Sequence, residues 1–222
     1  MCGRFVMTLS PEKIQHVFGV TEVPAITPRY NIAPTQNILA VCQNGDGFRH
    51  LKMFRWGLIP HWAKESSIGN KMINARCETI GEKPAFRGPI RFHRCLVLAS
   101  GFFEWQRLDG RKQPYLIQRK DGEPMAFAGI WDHWKNSAET IESCAILTTE
   151  ANRLMLDIHH RMPVILSPSE FDLWLDRSIT EAETLQGLYT PFPSESLQAI
   201  PVSTAVNNPR HDSPDCLDPL ES

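Results

Sequence analysis

Two strand-length apolar runs, residues 38–42 and 48–56, flank the tetrapeptide Asn44-Gly45-Asp46-Gly47. Turn residues of this kind between two such runs dictate an antiparallel hairpin. The punctuation recurs along the chain. Residues 94–99 and 102–105 read as strands, Asp109-Gly110 turns the chain into 114–118, and Asp121-Gly122 turns it into 125–130. Further strands are expected over 71–75, 143–148 and 163–166. Ser10 followed by Pro11 marks a helix start, with Ile14, Val17 and Phe18 at helical spacing and Gly19 as the stop. Residues 78–83, 151–157, 169–175 and 180–188 read as short helices, the last two capped by Ser169 and Thr180. Pro24, Pro28 and Pro34 keep 21–36 extended. The 17 prolines and 13 glycines fit many short elements better than a few long ones. Strands outnumber helices and meet through hairpins. The expected fold is therefore α+β: a single β-rich domain over 1–222, of mostly antiparallel, barrel-like strands with short peripheral helices. Residues 200–222 are expected to form an extended wrap.

No stretch approaches the ~20 consecutive apolar residues of a membrane span. The start lacks a basic-then-apolar leader, so the expectation is a cytoplasmic monomer with no membrane partner. The six cysteines (2, 42, 77, 95, 144 and 216) include no CxxC pair, which argues against a zinc ribbon and a disulfide framework. No metal or other cofactor is expected. Residues 1–162 carry 21 Lys and Arg against 15 Asp and Glu, whereas 163–222 carry 2 against 10. A chain with net charge −2 can still offer a basic face to a polyanion; a solvated acidic tail is the alternative.

The chemistry-bearing positions begin with Met1-Cys2-Gly3-Arg4-Phe5. Cys2 is small enough to become the first residue once Met1 is excised, presenting an amine and a thiol on adjacent carbons. Such a pair condenses with an aldehyde to an imine and closes to a thiazolidine; otherwise Cys2 simply begins an edge strand. Glu104 interrupts the apolar run 99–105, sharing a strand face with Phe102 and Gln106. It either faces water or has its protonation tuned by burial. His159 and His160 precede Arg161, and imidazole suits proton transfer near neutrality. Asn74-Ala75-Arg76 either binds a ligand or caps the next turn. Trp56, Trp62 and Trp105, interleaved with arginines, suit stacking against single-stranded nucleic acid, or else fill the core.

In order, the chain carries MCGRF, Arg29-Tyr30-Asn31-Ile32-Ala33-Pro34-Thr35, Trp56-Gly57-Leu58-Ile59-Pro60-His61-Trp62, Ile73-Asn74-Ala75-Arg76-Cys77-Glu78-Thr79, Gly101-Phe102-Phe103-Glu104-Trp105, Ile158-His159-His160-Arg161-Met162-Pro163 and Pro201-Val202-Ser203-Thr204-Ala205-Val206-Asn207. This set resembles the SRAP family (SOS response-associated peptidase), the abasic-site processing proteins, over essentially the whole length. It departs at His160, where the family often has Asp, and at Ser100, where an acid is common. The resemblance implies covalent capture of abasic sites in single-stranded DNA through Cys2 after Met1 removal, with lyase and autopeptidase activities, and association with the nucleoid on DNA. It implies catalytic roles for Cys2, Asn74, Glu104 and His159. Arg4, Arg76 and Arg161 are implied as phosphate contacts, and Pro34, Trp62, Trp105 and Thr148 as further DNA contacts. A cysteine-dependent peptidase acting in trans and a non-catalytic single-strand-binding module are the competing readings.

Overall fold

The computed structural model describes residues 2–108 and 110–220. Its thirteen strands are β1 (Phe5–Met7), β2 (Arg29–Ile32), β3 (Asn37–Gln43), β4 (Arg49–Trp56), β5 (Asn74–Arg76), β6 (Arg94–Ala99), β7 (Gly101–Leu108), β8 (Arg111–Arg119), β9 (Met125–Lys135), β10 (Thr140–Glu150), β11 (Arg161–Pro163), β12 (Ile165–Leu166) and β13 (Leu197–Pro201). The helices are α1 (Pro11–Phe18), α2 (Pro89–Phe92), α3 (Arg153–Leu156) and α4 (Phe171–Leu175), supplemented by short 3₁₀ turns.

One sheet runs β10-β4-β3-β6-β9, and β9 pairs with β10 in turn, so these five strands close into a barrel. The hairpin expected around 44–47 is β3–β4, in register from Asn37↔Arg55 to Gln43↔Arg49. A second sheet, β13-β8-β7-β1-β2, lies against it. Phe5 joins the two. Its ring meets Trp56 edge-on at 5.2 Å and Phe127 at 6.0 Å, and Phe102 meets Phe127 from the second sheet. All four rings are fully buried. Burying an aromatic of this size contributes about 2–3 kcal/mol, so the start of the chain is pinned by its fifth residue.

The fold class is as expected, and several element bounds differ. The strand expected at 71–75 is β5, and residues Ser66–Lys71 before it form a 3₁₀ turn. β5 pairs parallel with β10, a long-range contact that no local periodicity announces. Residues 78–83 hold turns after a short 3₁₀ segment, Cys77–Thr79. The helix expected at 180–188 is a 3₁₀ helix over Ala182–Tyr189. Ser169 lies inside a 3₁₀ turn, Pro168–Glu170, that leads into α4 and is capped by Ser167 in a capping box with Glu170, because Pro168 favours the position after the cap. The Ser10 cap and the left-handed Gly19 stop of α1 are as read. The turn expected at Asp109-Gly110 includes Asp109, which lies outside the described residues.

Three backbone acceptors lock the C-terminal segment onto β2. The Asn31 side-chain amide donates to the carbonyls of Val206, Asn208 and His211. Asp212 accepts from the N–H groups of Tyr30 (2.6 Å) and Asn31 (2.9 Å) and pairs with Arg29. Residues 204–217 contain two 3₁₀ turns, Thr204–Asn207 and Pro214–Leu217.

The loop after β4 is set by two glycines placed back to back. Gly57 has φ +125°, and a Cβ there would lie 2.5 Å from the Gly69 carbonyl oxygen; a Cβ on Gly69 would lie 2.6 Å from that of Gly57. Gly57→Ala is expected to cost roughly 2–4 kcal/mol through strain plus a backbone clash. A urea-unfolding midpoint unchanged in this variant would show that the loop relaxes freely.

Candidate active site

Cys2 lies fully buried just before β1. Its carbonyl accepts a 2.8 Å hydrogen bond from the side-chain amide of Asn74. Asn74 begins β5, opposite Ile146 of β10, so the barrel wall supplies the clamp on the chain's second residue. The Asn74 Oδ1 is buried and unpaired among the described residues. Burial, and secondarily the charge of Glu104, push the Cys2 thiol well above the ordinary cysteine range. Glu104 thus lies within electrostatic reach of the sulfur.

Glu104 sits in β7 opposite Tyr115 of β8 and is only 3% exposed. Of the two readings open for it, burial is the one found. Loss of water raises its carboxyl above the usual carboxylate range. Gln106, on the same strand face, accepts from the Tyr115 hydroxyl and donates to the Asp157 carbonyl at 2.8 Å. It ties β7 to the turn that carries the histidines.

That turn follows α3, which is capped by Asn152. The His159 N–H donates to the Met155 carbonyl at 2.7 Å. Its Nδ1 faces the Arg161 N–H at 3.0 Å. The Arg161 carbonyl lies 3.2 Å from the same nitrogen, so both backbone groups of Arg161 hold Nδ1. Burial lowers the His159 pKa to about 4, so the ring is uncharged near neutrality. His160 is exposed and stacks on His159 with ring centroids 4.4 Å apart. The other departure, Ser100, accepts at Oγ from the Thr8 N–H, joining β1 to β7.

The residues implied as DNA contacts fall into separate places. Trp62 is 52% exposed and Arg76 is exposed; with Asn74, Met72, Lys83 and Phe86 they line a groove of about 570 Å³. Arg4 and Trp105 form a second group. The Arg4 guanidinium lies 5.7 Å from the Trp105 ring centre and donates to Asn31 Oδ1 and the Val206 carbonyl, while Trp105 Nε1 donates to Asn207. Arg161 and Thr148 are buried together; the Arg161 fork is bidentate to Glu78 and reaches the Thr148 carbonyl at 2.6 Å. A phosphate reaching Arg161 therefore competes with Glu78. Pro34 is half-buried in a turn whose next residue, Thr35, has φ +73°, apart from the groove lining.

Sequence reasoning passed over Lys83, Met72 and Phe86, which have no motif of their own and reach the groove through turns. Glu78 and Asn31 stood inside quoted motifs without a role. Among the described residues, His211, Asp215 and Cys216 place three ligand-type atoms within 4.8 Å of one another. They satisfy each other and the backbone: His211 Nε2 meets Asp215 at 2.7 Å, and the Cys216 thiol donates to the His211 carbonyl.

The family model described as SOS response associated peptidase (SRAP) matches residues 1–209. The chain belongs to the SRAP family. It is 44% identical to the abasic site processing protein YoaM of Bacillus subtilis, over 98% of each chain. It is 35% identical to the abasic site processing protein HMCES of Gallus gallus, over all of this chain and 78% of that protein. A crystal structure of a Bacteroides thetaiotaomicron protein superposes with a TM-score of 0.88 at 30% identity, covering 99% of this chain and 100% of the other. No helix among the described residues is long and apolar enough to cross a membrane.

The candidate site thus holds a carboxyl group whose burial opposes its charge. A raised folded-state pKa means that the native state binds the Glu104 proton more readily than the unfolded chain. The favourable contribution is present at low pH and lost as pH rises through the folded value. Glu104→Gln is therefore expected to raise the melting temperature at pH 7 by roughly 2–4 °C, the shift that ~1 kcal/mol gives at this chain length, and by less at pH 4. A variant destabilised at pH 7 would mean that the carboxylate stabilises the fold.

Proposed function

We propose that this protein processes abasic sites in single-stranded DNA by covalent capture through Cys2. The observation that carries the reading is the Asn74–Cys2 bond. It ties the second residue to Asn74, which itself lines the groove with Trp62, Arg76 and Lys83. Loss of Met1 by hydrolysis of the Met1–Cys2 peptide bond, whether by this protein, in keeping with the word peptidase in the family's name, or by an aminopeptidase, leaves a free amine there.

The abasic sugar in its ring-opened form offers an aldehyde carbon. The Cys2 amine adds to that carbon to give a carbinolamine. Protonated Glu104 donates to the departing hydroxyl, water leaves, and a protonated imine forms. The Cys2 thiol then gives its proton to the Glu104 carboxylate while the sulfur adds to the imine carbon, closing a thiazolidine. The sum is aldehyde plus aminothiol giving thiazolidine and water. A carboxyl group with a raised pKa suits both steps, because it must hold the proton at one and take it at the next. His159, neutral near pH 7 with Nδ1 held at the Arg161 backbone, exchanges a proton with the sugar as the ring opens. Asn74 Oδ1 is placed to accept a sugar hydroxyl. If the sulfur does not close, removal of a proton from the sugar carbon next to the imine expels the 3′ phosphate, which is the lyase outcome.

Mixing protein with an oligonucleotide bearing one abasic site, then running a denaturing gel, tests this directly. Wild-type protein is expected to give a shifted band and Cys2→Ala none, with binding to intact single strands retained. A shifted band from Cys2→Ala would refute the assignment. Glu104→Gln and His159→Ala should slow capture by about 10²–10⁴-fold, the usual worth of positioned proton transfer. In the wild type, the part of the rate profile owed to His159 should stay flat from pH 8 down to about pH 5, since its neutral form persists to about pH 4. An inflection near 6.5 that His159→Ala removes would contradict the buried neutral ring.

A further inference from the structure

In the C-terminal segment the ring of His211, the carboxylate of Asp215 and the sulfur of Cys216 converge, with their ligand atoms all within 4.8 Å of one another. Covalent capture uses none of the three. An imidazole, a carboxylate and a thiol aimed at one point make the mixed donor set that zinc takes. Magnesium and calcium want six or more oxygens, and this cluster offers one carboxylate and the Ser213 hydroxyl. The lack of a CxxC pair excludes a zinc ribbon and not a site of this kind.

The donors meet because the chain turns twice within a few residues. The His211 N–H donates to the Asn208 carbonyl and the Cys216 N–H to the Ser213 carbonyl, both at 3.0 Å, the second inside the 3₁₀ turn Pro214–Leu217. Asn31 holds the His211 carbonyl at 2.6 Å, and Asp212 is fixed by the Tyr30 and Asn31 N–H groups. Past Cys216, Pro219 bridges to Val202 and the Leu220 N–H donates to the Pro201 carbonyl at 2.9 Å. The backbone that carries the ligands is therefore set in advance, which spares the ordering entropy a mobile loop would lose.

The cluster is dry at one end and wet at the other. Cys216 is 1% exposed and packs with Val6, Phe103, Val202 and Val206. The His211 side chain is 33% exposed and that of Asp215 53%, so an ion has a way in over the carboxylate. Tetrahedral zinc, with bonds of about 2.0 Å to nitrogen and oxygen and about 2.3 Å to sulfur, spaces its donors roughly 3.3–3.6 Å apart. His211 Nε2 and Asp215 Oδ2 stand closer, at 2.7 Å, and the exposed carboxylate has room to draw back.

We propose that His211, Asp215 and Cys216 bind one zinc ion, with water in the fourth position. Without metal, the ring Nε2–H donates to the Asp215 carboxylate and the thiol donates to the His211 carbonyl. On coordination the thiol proton passes to solvent. The ring gives up its Nε2 proton and takes one at Nδ1, so nitrogen, oxygen and sulfur each turn a lone pair to the ion. The ion fastens the segment whose Val206 carbonyl and Asn207 side chain hold Arg4 and Trp105. Zinc binding here is independent of covalent capture at Cys2.

Cobalt(II) in place of zinc tests the site by absorbance, since a bound thiolate gives an ultraviolet charge-transfer band and a tetrahedral ion gives visible bands. An amino-terminal cysteine can itself chelate metal, so the titration uses full-length Cys2→Ala protein. One equivalent of cobalt is expected to bind with both sets of bands, and zinc to bleach them. Adding Cys216→Ala should abolish the charge-transfer band. Adding His211→Ala, at a half-buried position outside the core, should weaken cobalt binding by more than about tenfold, the least that even an outer-shell partner is worth. Zinc at about a hundredfold over its dissociation constant should raise the melting temperature of Cys2→Ala by roughly 5–10 °C and leave the Cys216→Ala double variant unmoved. Absence of the charge-transfer band in Cys2→Ala, its survival in Cys216→Ala, or undiminished cobalt affinity in a folded His211→Ala each overturns the site.

Discussion

Strand β10 is shared by more of the structure than any other element. Along one edge its residues 140–146 pair antiparallel with β9, which closes the barrel. Along the other it takes β4 at Ser143 and Cys144 and β5 at Ile146 to Thr148, while β11 continues the β9 edge at Thr148 to Glu150. Both edges are therefore saturated with backbone hydrogen bonds, and buried backbone groups are expensive to leave unpaired. That constraint fixes Asn74 on β5 and Arg161 on β11 relative to each other, although 86 positions separate them in the sequence. The site needs no special scaffold beyond this strand and the aromatic anchor at Phe5.

Within that frame, burial moves the three central groups toward their uncharged forms. The Cys2 thiol is kept protonated, the Glu104 carboxyl is drawn toward its neutral form, and His159 is kept neutral, all chiefly by burial. None is a surface group that happens to be near the others. Each is delivered by a different element: the segment before β1, the middle of β7, and the turn after α3. Gln106, bound to both Tyr115 and Asp157, ties the last two together. Low-polarity surroundings strengthen proton exchange between neighbours and shift each group away from its reference pKa.

The hairpin at 44–47 and helix α1 were legible because their signals are local: a turn sequence, a cap, a glycine stop. The strand at 74–76 was displaced because its pairing with β10 lies more than 70 residues away, and the 3₁₀ turn before it carries no distinctive residues. The burial of Glu104 could not be decided from strand alternation, since a polar residue between aromatics fits an exposed edge equally well. Coverage of that face by the turn at 157–160 is a tertiary fact. Asn74 was found through its motif, yet the partner of its amide, the Cys2 carbonyl, has no signature of its own. The groove was the least legible part. Lys83 and Phe86 project from turns whose conformation follows from packing rather than pattern.

Cys2 begins with its sulfur shut away from solvent and its proton tightly held. A thiol in that condition reacts sluggishly with peroxide, with small alkylating agents and with disulfides, all of which demand the thiolate. The protein thus carries a nucleophile that ordinary cellular electrophiles leave alone. Under the proposed function, what unlocks it is an aldehyde presented at the adjoining nitrogen, where imine formation brings the carbon to the sulfur instead of asking the sulfur to go out and find it.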